Sequence, residues 1–282
     1  GKNRVLSSFN ITNLKRTMSK LPYSTSRDIF KEANVNIVSA TTRCRVLRKI
    51  GKCRKQVKQP KLSKQQCQNR IEWAKSYMKT DFQNVIFTDE CRVTLDGPDG
   101  CSRGWLREGA SNGVRKRRQQ GGGGVMFWAA IHGGNLIGPF RMPQGVKMNS
   151  KTYTDLLKEK FMPYINSLHP KERRKIIFMH DNAPSHASNL TTQFLADNGF
   201  TGIRLMKWPA SSPDLNPIEN YWGVFKTNLY KAGRQFDSCD ELWQAVTDTF
   251  SKMDRSLISK LTKSMDNRLL EVVKRNGRYI KH

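Results

Sequence analysis

Fifteen residues near the carboxyl end constrain this chain more than any other stretch: Trp208-Pro-Ala-Ser-Ser-Pro-Asp-Leu-Asn-Pro-Ile-Glu-Asn-Tyr-Trp222. Pro209, Pro213 and Pro217 hold an extended run with little conformational freedom. Pro217 also suits the first turn of a helix, where its missing N–H is no loss. From there Ile218, Trp222, Phe225 and Leu229 recur at the spacing of one buried helix face. Glu219 is the next residue round from that stripe, about 100° away, so its carboxylate projects beside the packed face. Asn216 as N-cap with Glu219 three positions on also reads as a capping box. A rigid run that delivers one acid to one place is therefore a helix start or a site, and the rest of the chain must decide.

The net charge of +27 over 282 residues points to a polyanionic partner, nucleic acid before an anionic membrane surface. No apolar run approaches the roughly 18 residues a membrane span needs, and no signal peptide is visible. The six cysteines, Cys44, Cys53, Cys67, Cys91, Cys101 and Cys239, form no C-x-x-C pair and have no zinc-type spacing. They read as reduced thiols of an intracellular protein.

The positive charge is concentrated. Residues 1–64 hold 17 Lys/Arg against Asp28 and Glu32 alone. Within them a helix is predicted over Asn13–Ser19, a second capped by Ser24 or Thr25 and running to Ala33, a turn over Asn34–Val38, and a third helix from the Ser39 cap to Ile50, stopped by Gly51. Helix, tight turn and basic helix form the helix-turn-helix plan, whose last helix enters the major groove of double-stranded DNA. Ser39, Thr41, Thr42 and Arg43 lie at the end that reaches base edges, with Arg45, Arg48 and Lys49 further along. A basic three-helix bundle serving another interface is the alternative. Lys52, Arg54 and Lys55 follow in a basic linker suited to a phosphate backbone, and Ser63 caps a helix of about 64–79.

Beyond residue 80 short apolar runs alternate with helices. Strands are expected over 84–89, 91–95, 125–131, 136–141, 175–180 and 202–206. Helices are expected over 150–167, capped by Ser150, over about 186–198, from Pro217, and across 238–276. This grammar predicts an α/β domain with a mixed sheet. Asp89 and Asp181 each stand where an apolar strand run stops. One such Asp is ordinarily a turn former; two, with Glu219, suggest a cluster. Like charges 4 Å apart repel by about 4 kcal/mol at an effective dielectric near 20. Such a cluster needs a cation or raised pKa values. Carboxylate oxygens suit Mg²⁺ or Mn²⁺, and two such ions about 3.5–4 Å apart suit in-line phosphoryl transfer.

Four segments, Phe87-Thr-Asp-Glu90, Gly121-Gly-Gly-Gly-Val-Met-Phe-Trp128, His180-Asp-Asn-Ala-Pro-Ser-His186 and Ser212-Pro-Asp-Leu-Asn-Pro-Ile-Glu-Asn-Tyr-Trp222, carry a resemblance. Together they make the chain similar to the mariner superfamily of cut-and-paste DNA transposases, closest to its Sleeping Beauty-like branch. The resemblance implies a ribonuclease H-like mixed-sheet catalytic domain preceded by a small all-α helix-turn-helix domain. The expected boundaries are 1–51 for the helix-turn-helix, 52–80 for the basic linker and connecting helix, and 81–282 for the catalytic domain, with a clamp-like insertion at about 95–122.

The resemblance further implies a catalytic and metal-binding triad of Asp89, Asp181 and Glu219. It implies two Mg²⁺ ions for which Mn²⁺ can substitute, hydrolysis at transposon ends, and attack by the freed 3′ hydroxyl on TA target DNA. A homodimer on DNA and a nuclear location follow. Arg115, Lys116, Arg117 and Arg118 are candidate DNA contacts or a nuclear signal. His186 is a candidate DNA contact or orients a water, with local packing as the alternative for it and for His180. Trp105 and Trp128 are expected in the core.

The chain departs from the family pattern twice. The interval from Asp181 to Glu219 is a few residues longer than usual, and strict spacing would select Asn216; the surrounding Pro-Asp-Leu-Asn-Pro-Ile-Glu context assigns Glu219, with Asp214 in reserve. Only one of two amino-terminal helix-turn-helix units is present, so this chain by itself is expected to bind transposon ends weakly or not at all. Two other functions remain open: a transposase-derived DNA-binding protein without catalysis, and a ribonuclease H-type nuclease.

Overall fold

The computed structural model describes residues 6–21, 24–36, 39–51, 60–97, 123–146 and 148–280. The chain divides into two compact units, Gly1–Lys61 and Leu62–His282.

The first unit contains α1 (Ser8–Lys20), α2 (Ser26–Glu32) and α3 (Ala40–Ile50). Ser7 caps α1 by accepting from the Asn10 amide, so this helix is longer than its predicted Asn13–Ser19. The Thr25 hydroxyl caps α2 through the Asp28 amide. Asn34 turns the chain at φ +53°, a conformation Asn tolerates better than most residues. Leu14, Ile29, Phe30, Ala33 and Val35 form a small core, with Val46, Leu47 and Ile50 of α3 packed on it. Ser39 stands at the N-cap of α3 but makes no side-chain capping bond.

The second unit opens with α4 (Lys64–Ser76), whose start is a capping box between Ser63 and Gln66. This helix was expected to connect two domains. It belongs instead to the second unit, because Trp73 and Ala74 are buried in that unit's main core and Arg70 is fully buried. The sheet follows: β1 (Val85–Thr94), β2 (Gly124–His132), β3 (Asn135–Arg141) and β4 (Ile177–Met179), in the order β3-β2-β1-β4. Strands β1, β2 and β3 pair antiparallel, and β4 lies parallel to β1.

The two short strands expected over 84–89 and 91–95 are one strand. Cys91 and Val93 are buried like Phe87, and pairing with β2 continues unbroken to Thr94↔Gly124, so Asp89 lies mid-strand. The strand expected over 202–206 is a 3-10 turn (Gly202–Arg204) followed by a single parallel bridge from Leu205 to Phe178.

Helices cover both faces of the sheet. On one face α5 (Ser150–Leu156) runs through a π-helical turn (Leu157–Phe161) into α6 (Met162–Ser167). The cap of α5 is Asn149, one residue before the expected Ser150. The short α7 (Pro170–Arg173) precedes β4, and α8 (Asn189–Asp197) follows it. Their core holds Ile86, Trp128, Ala130, Tyr153, Phe161 and Phe178. Trp128 is buried as expected, and Trp105 lies outside the described residues.

On the other face α9 (Pro217–Leu229), α10 (Cys239–Ser251), α11 (Arg255–Lys263) and α12 (Met265–Lys274) cover Phe87, Phe127, Ala129 and Ile131. Alternation along β1 therefore sends Asp89 toward the α9 face and Glu90 toward the α5 and α8 face. Among the described residues no helix is long and apolar enough to cross a membrane.

Candidate active site

Asp89 and Asp181 meet through strand register. The parallel pairing of β1 and β4 ends at Phe87↔Met179, so Asp89 and Asp181 each stand two residues beyond the last paired position. The Thr88 hydroxyl donates to the Met179 carbonyl at 2.9 Å, tying the two chains together at the point of divergence.

The head of α9 docks beside them. The Asn216 side-chain Nδ2 donates to the Thr88 carbonyl at 3.2 Å, and its side-chain oxygen caps the helix by accepting from the Ile218 backbone amide. The capping box that Glu219 would complete does not form, and its carboxylate takes no hydrogen bond among the described residues. One turn on, the Trp222 indole N–H donates to Asp89 Oδ2 at 2.9 Å.

These placements set the electrostatics. Burial, then the charges of Glu219 and Glu90, push the Asp89 carboxyl up to about 8, against the opposing Trp222 hydrogen bond. Burial also raises Glu219, whose carboxylate feels the charge of Asp181 and is eased by Lys226. Asp181 moves the other way, held low chiefly by a 2.7 Å hydrogen bond from His186 Nδ1 and also by the Ala183 amide at 2.9 Å. Glu219 thus lies within electrostatic reach of both Asp89 and Asp181. The three acids do not close on a point: among the described residues no three His, Cys, Asp or Glu side chains are arranged to hold a metal ion as they stand.

The donor set nevertheless fits a hard divalent cation. It is all carboxylate, and Asp89 is kept neutral up to about pH 8 by burial and like charge, a penalty that a cation would relieve.

His186 is not placed to touch DNA. Its side chain is 4% exposed, with Nδ1 on Asp181 and Nε2 3.4 Å from Glu90 Oε1. Burial opposes its charge, yet the two carboxylates raise it to about 9. His180 stacks on it at 5.1 Å between ring centroids and shares a 3.1 Å hydrogen bond with the Tyr153 hydroxyl. Burial, and then the His186 charge, bring His180 down to about 3.

Asp214, the reserve acid, is taken up structurally. It forms a two-point ion pair with the buried Arg70 guanidinium at 2.6 and 2.9 Å, and it accepts from the Ile280 amide at 2.9 Å. Sequence reading missed Arg70, and also Trp222 and Glu90 as partners of site residues. One signal was available for Trp222: a Trp in a buried stripe brings an N–H that needs an acceptor.

In the first unit Ser39, Thr41, Arg45, Arg48 and Lys49 are exposed on α3, while Thr42 and Arg43 are half-buried. Lys52, Arg54, Lys55 and Arg115, Lys116, Arg117 and Arg118 lie outside the described residues, as does most of the expected insertion at about 95–122.

Residues 84–243 match the family model of the DDE superfamily endonucleases. The chain is 33% identical over 260 residues to the Tc3 transposase of Caenorhabditis elegans, covering 92% of this chain and 76% of that protein. The chain belongs to the Tc1/mariner family of DDE transposases. The Tc1 transposase of the same organism is 28% identical over 277 residues, covering 94% of this transposase and 97% of its own length. The crystal structure of the Mos1 mariner paired end complex with Mn superposes with a TM-score of 0.77 at 18% identity, covering all of this transposase and 82% of that chain. The Mos1 strand transfer complex gives 0.76 at 17%, with the same coverage. These likenesses establish the ribonuclease H-like fold that the sequence implied.

Proposed function

We propose that this cut-and-paste transposase cuts and joins DNA through Asp89, Asp181 and Glu219. The observation that carries the assignment is their arrangement: Asp89 and Asp181 each follow the last β1–β4 pair by two residues, and the Asn216 side chain ties the head of α9 to the Thr88 carbonyl, next to Asp89. Mg²⁺ held by these three acids, with Mn²⁺ as a substitute, would polarise a phosphodiester oxygen and lower the pKa of an attacking hydroxyl. Solved Mos1 complexes with Mn and with Mg support that choice of ions.

The chain's own groups do the rest. Trp222 keeps one Asp89 oxygen directed, and the Asn216 cap holds Glu219 at the helix head, where the backbone dipole favours negative charge. The reaction follows as hydrolysis at transposon ends and then attack of the freed 3′ hydroxyl on TA target DNA. The basic helix α3 reads duplex DNA. Paired-end Mos1 complexes support DNA as the partner, and a homodimer that holds the two ends together is the proposed working form. A nuclear location suits that substrate.

The test is nicking of supercoiled plasmid in Mn²⁺, which does not depend on recognising transposon ends. Metal-dependent nicking lost in Asp181→Asn supports the reading. A folded protein that binds duplex and yields no product with any divalent metal would instead be a transposase-derived DNA binder.

A further inference from the structure

Glu90 follows Asp89 in the strand and projects from the opposite face of β1. A carboxylate there is expensive. Its surroundings are Trp128, its direct partner on β2, and the fully buried Tyr153. Glu90 Oε1 is buried with no hydrogen-bond partner, and so is His186 Nε2. These two atoms face each other at 3.4 Å. Buried charge is tolerated when an opposite charge lies beside it, and removing one member strands the other.

The imidazole between them is held from several sides. The Tyr153 ring lies 4.0 Å from it and the His180 ring stacks at an interplanar angle of 8°. The His186 amide closes a turn onto the Ala183 carbonyl at 2.8 Å. Its Nδ1 meets Asp181 Oδ1 at 2.7 Å, and the Ala183 amide donates to that same oxygen. Both donors therefore load Oδ1, and Oδ2 takes no hydrogen bond among the described residues. The plane of the Asp181 carboxylate is set by a ring whose far edge rests on Glu90.

We propose that Glu90 and His186 form a positioning pair that fixes the Asp181 carboxylate with Oδ2 presented to the catalytic cation. The proposal rests on the triad reading above. Glu90 and His186 touch neither DNA nor the reacting atoms; they act through Asp181. A carboxylate that must be reoriented on binding holds its ion less tightly, and partners of metal-binding side chains typically change metal affinity 10–100-fold when removed.

Mn²⁺ binding to the full chain, followed by loss of the free-ion EPR signal, tests this without reference to activity. Glu90→Gln and His186→Asn are each expected to weaken Mn²⁺ binding about tenfold. Adding Glu90→Gln to Asp181→Asn should bring no further loss, because the two act on one carboxylate. In plasmid nicking the half-saturating Mn²⁺ concentration should rise about tenfold while the rate at saturation stays within about threefold. Thermal unfolding of the metal-free variants confirms that they are folded; Glu90→Gln, nearly isosteric, keeps the test decisive should His186→Asn fail to fold. Wild-type Mn²⁺ affinity in Glu90→Gln, with weakened binding in Asp181→Asn, overturns the pair alone. Wild-type affinity in Asp181→Asn overturns the triad reading and the pair with it.

Discussion

The indole nitrogen of Trp222 donates to Asp89 Oδ2 across 133 residues of sequence, so the helix that carries Glu219 also steers the first acid. Trp222→Phe keeps an aromatic ring near Phe127 while removing the N–H donor together with part of the buried indole. Mn²⁺-dependent plasmid nicking should fall about tenfold at limiting metal, with thermal unfolding moved by a few degrees at most. An unchanged activation curve would remove Trp222 from the site.

Glu219→Gln should leave the fold intact, because the Asn216 side chain caps α9 without help from the Glu219 carboxylate. Loss of one anionic ligand removes several kcal/mol of transition-state stabilisation, so strand cleavage should drop by about a thousandfold or more. Circular dichroism and plasmid nicking read the two effects separately. A melted variant, or one with full activity, would count against the assignment.

Without metal, stability should fall as pH rises above about 6.5; below that His180, brought down to about 3, pulls the other way. Asp89 is raised on folding to about 8, so its contribution is whole below its unfolded value near 4 and is lost as pH climbs through about 8. His186, raised to about 9, acts in the same direction: its contribution is whole below about 6.5 and is lost through about 9. The melting temperature of metal-free protein is expected to drop by about 5 °C or more between pH 5 and 9. Asp89→Asn should flatten much of that slope, and Mg²⁺ should restore more stability at pH 8 than at pH 6. A metal-free melting temperature that is level across the range would contradict the buried acid.

Asp214→Ala should cost about 3–5 kcal/mol of stability, since it leaves the fully buried Arg70 guanidinium without its ion-pair partner. Denaturant unfolding measures this directly. A fully stable, inactive variant would return Asp214 to candidacy as a catalytic acid.

On α3, Arg45 and Arg48 are exposed. If they contact phosphates, alanine at either should reduce the slope of log affinity against log salt for duplex DNA by about 0.9. Fluorescence anisotropy across a salt series checks it, and an unchanged slope for both would move the DNA contact off this face.

Sequence alone determined the local frame of this transposase. Proline and Asn216 started α9 where they stand, Thr25 and Ser63 capped their helices, and the apolar runs became β2 and β3 within a residue or so. Those features depend on a few neighbouring residues and on periodicity, which a linear chain displays. Asp89, Asp181 and Glu219 could also be picked out together as candidates, because in the sequence each ends an apolar run or heads a rigid helix.

Tertiary structure decided what each polar group meets. Two predicted strands merged into β1 because pairing with β2 pays no heed to an acid in the middle, and residues 202–206 kept only one bridge to β4. Asp214 became a structural partner of Arg70 from 144 residues away, and His186 turned inward to join Asp181 and Glu90. No local pattern encodes such pairings. A buried charge takes whichever opposite charge or donor the packed chain brings within about 3 Å, and that choice exists only once the core has formed.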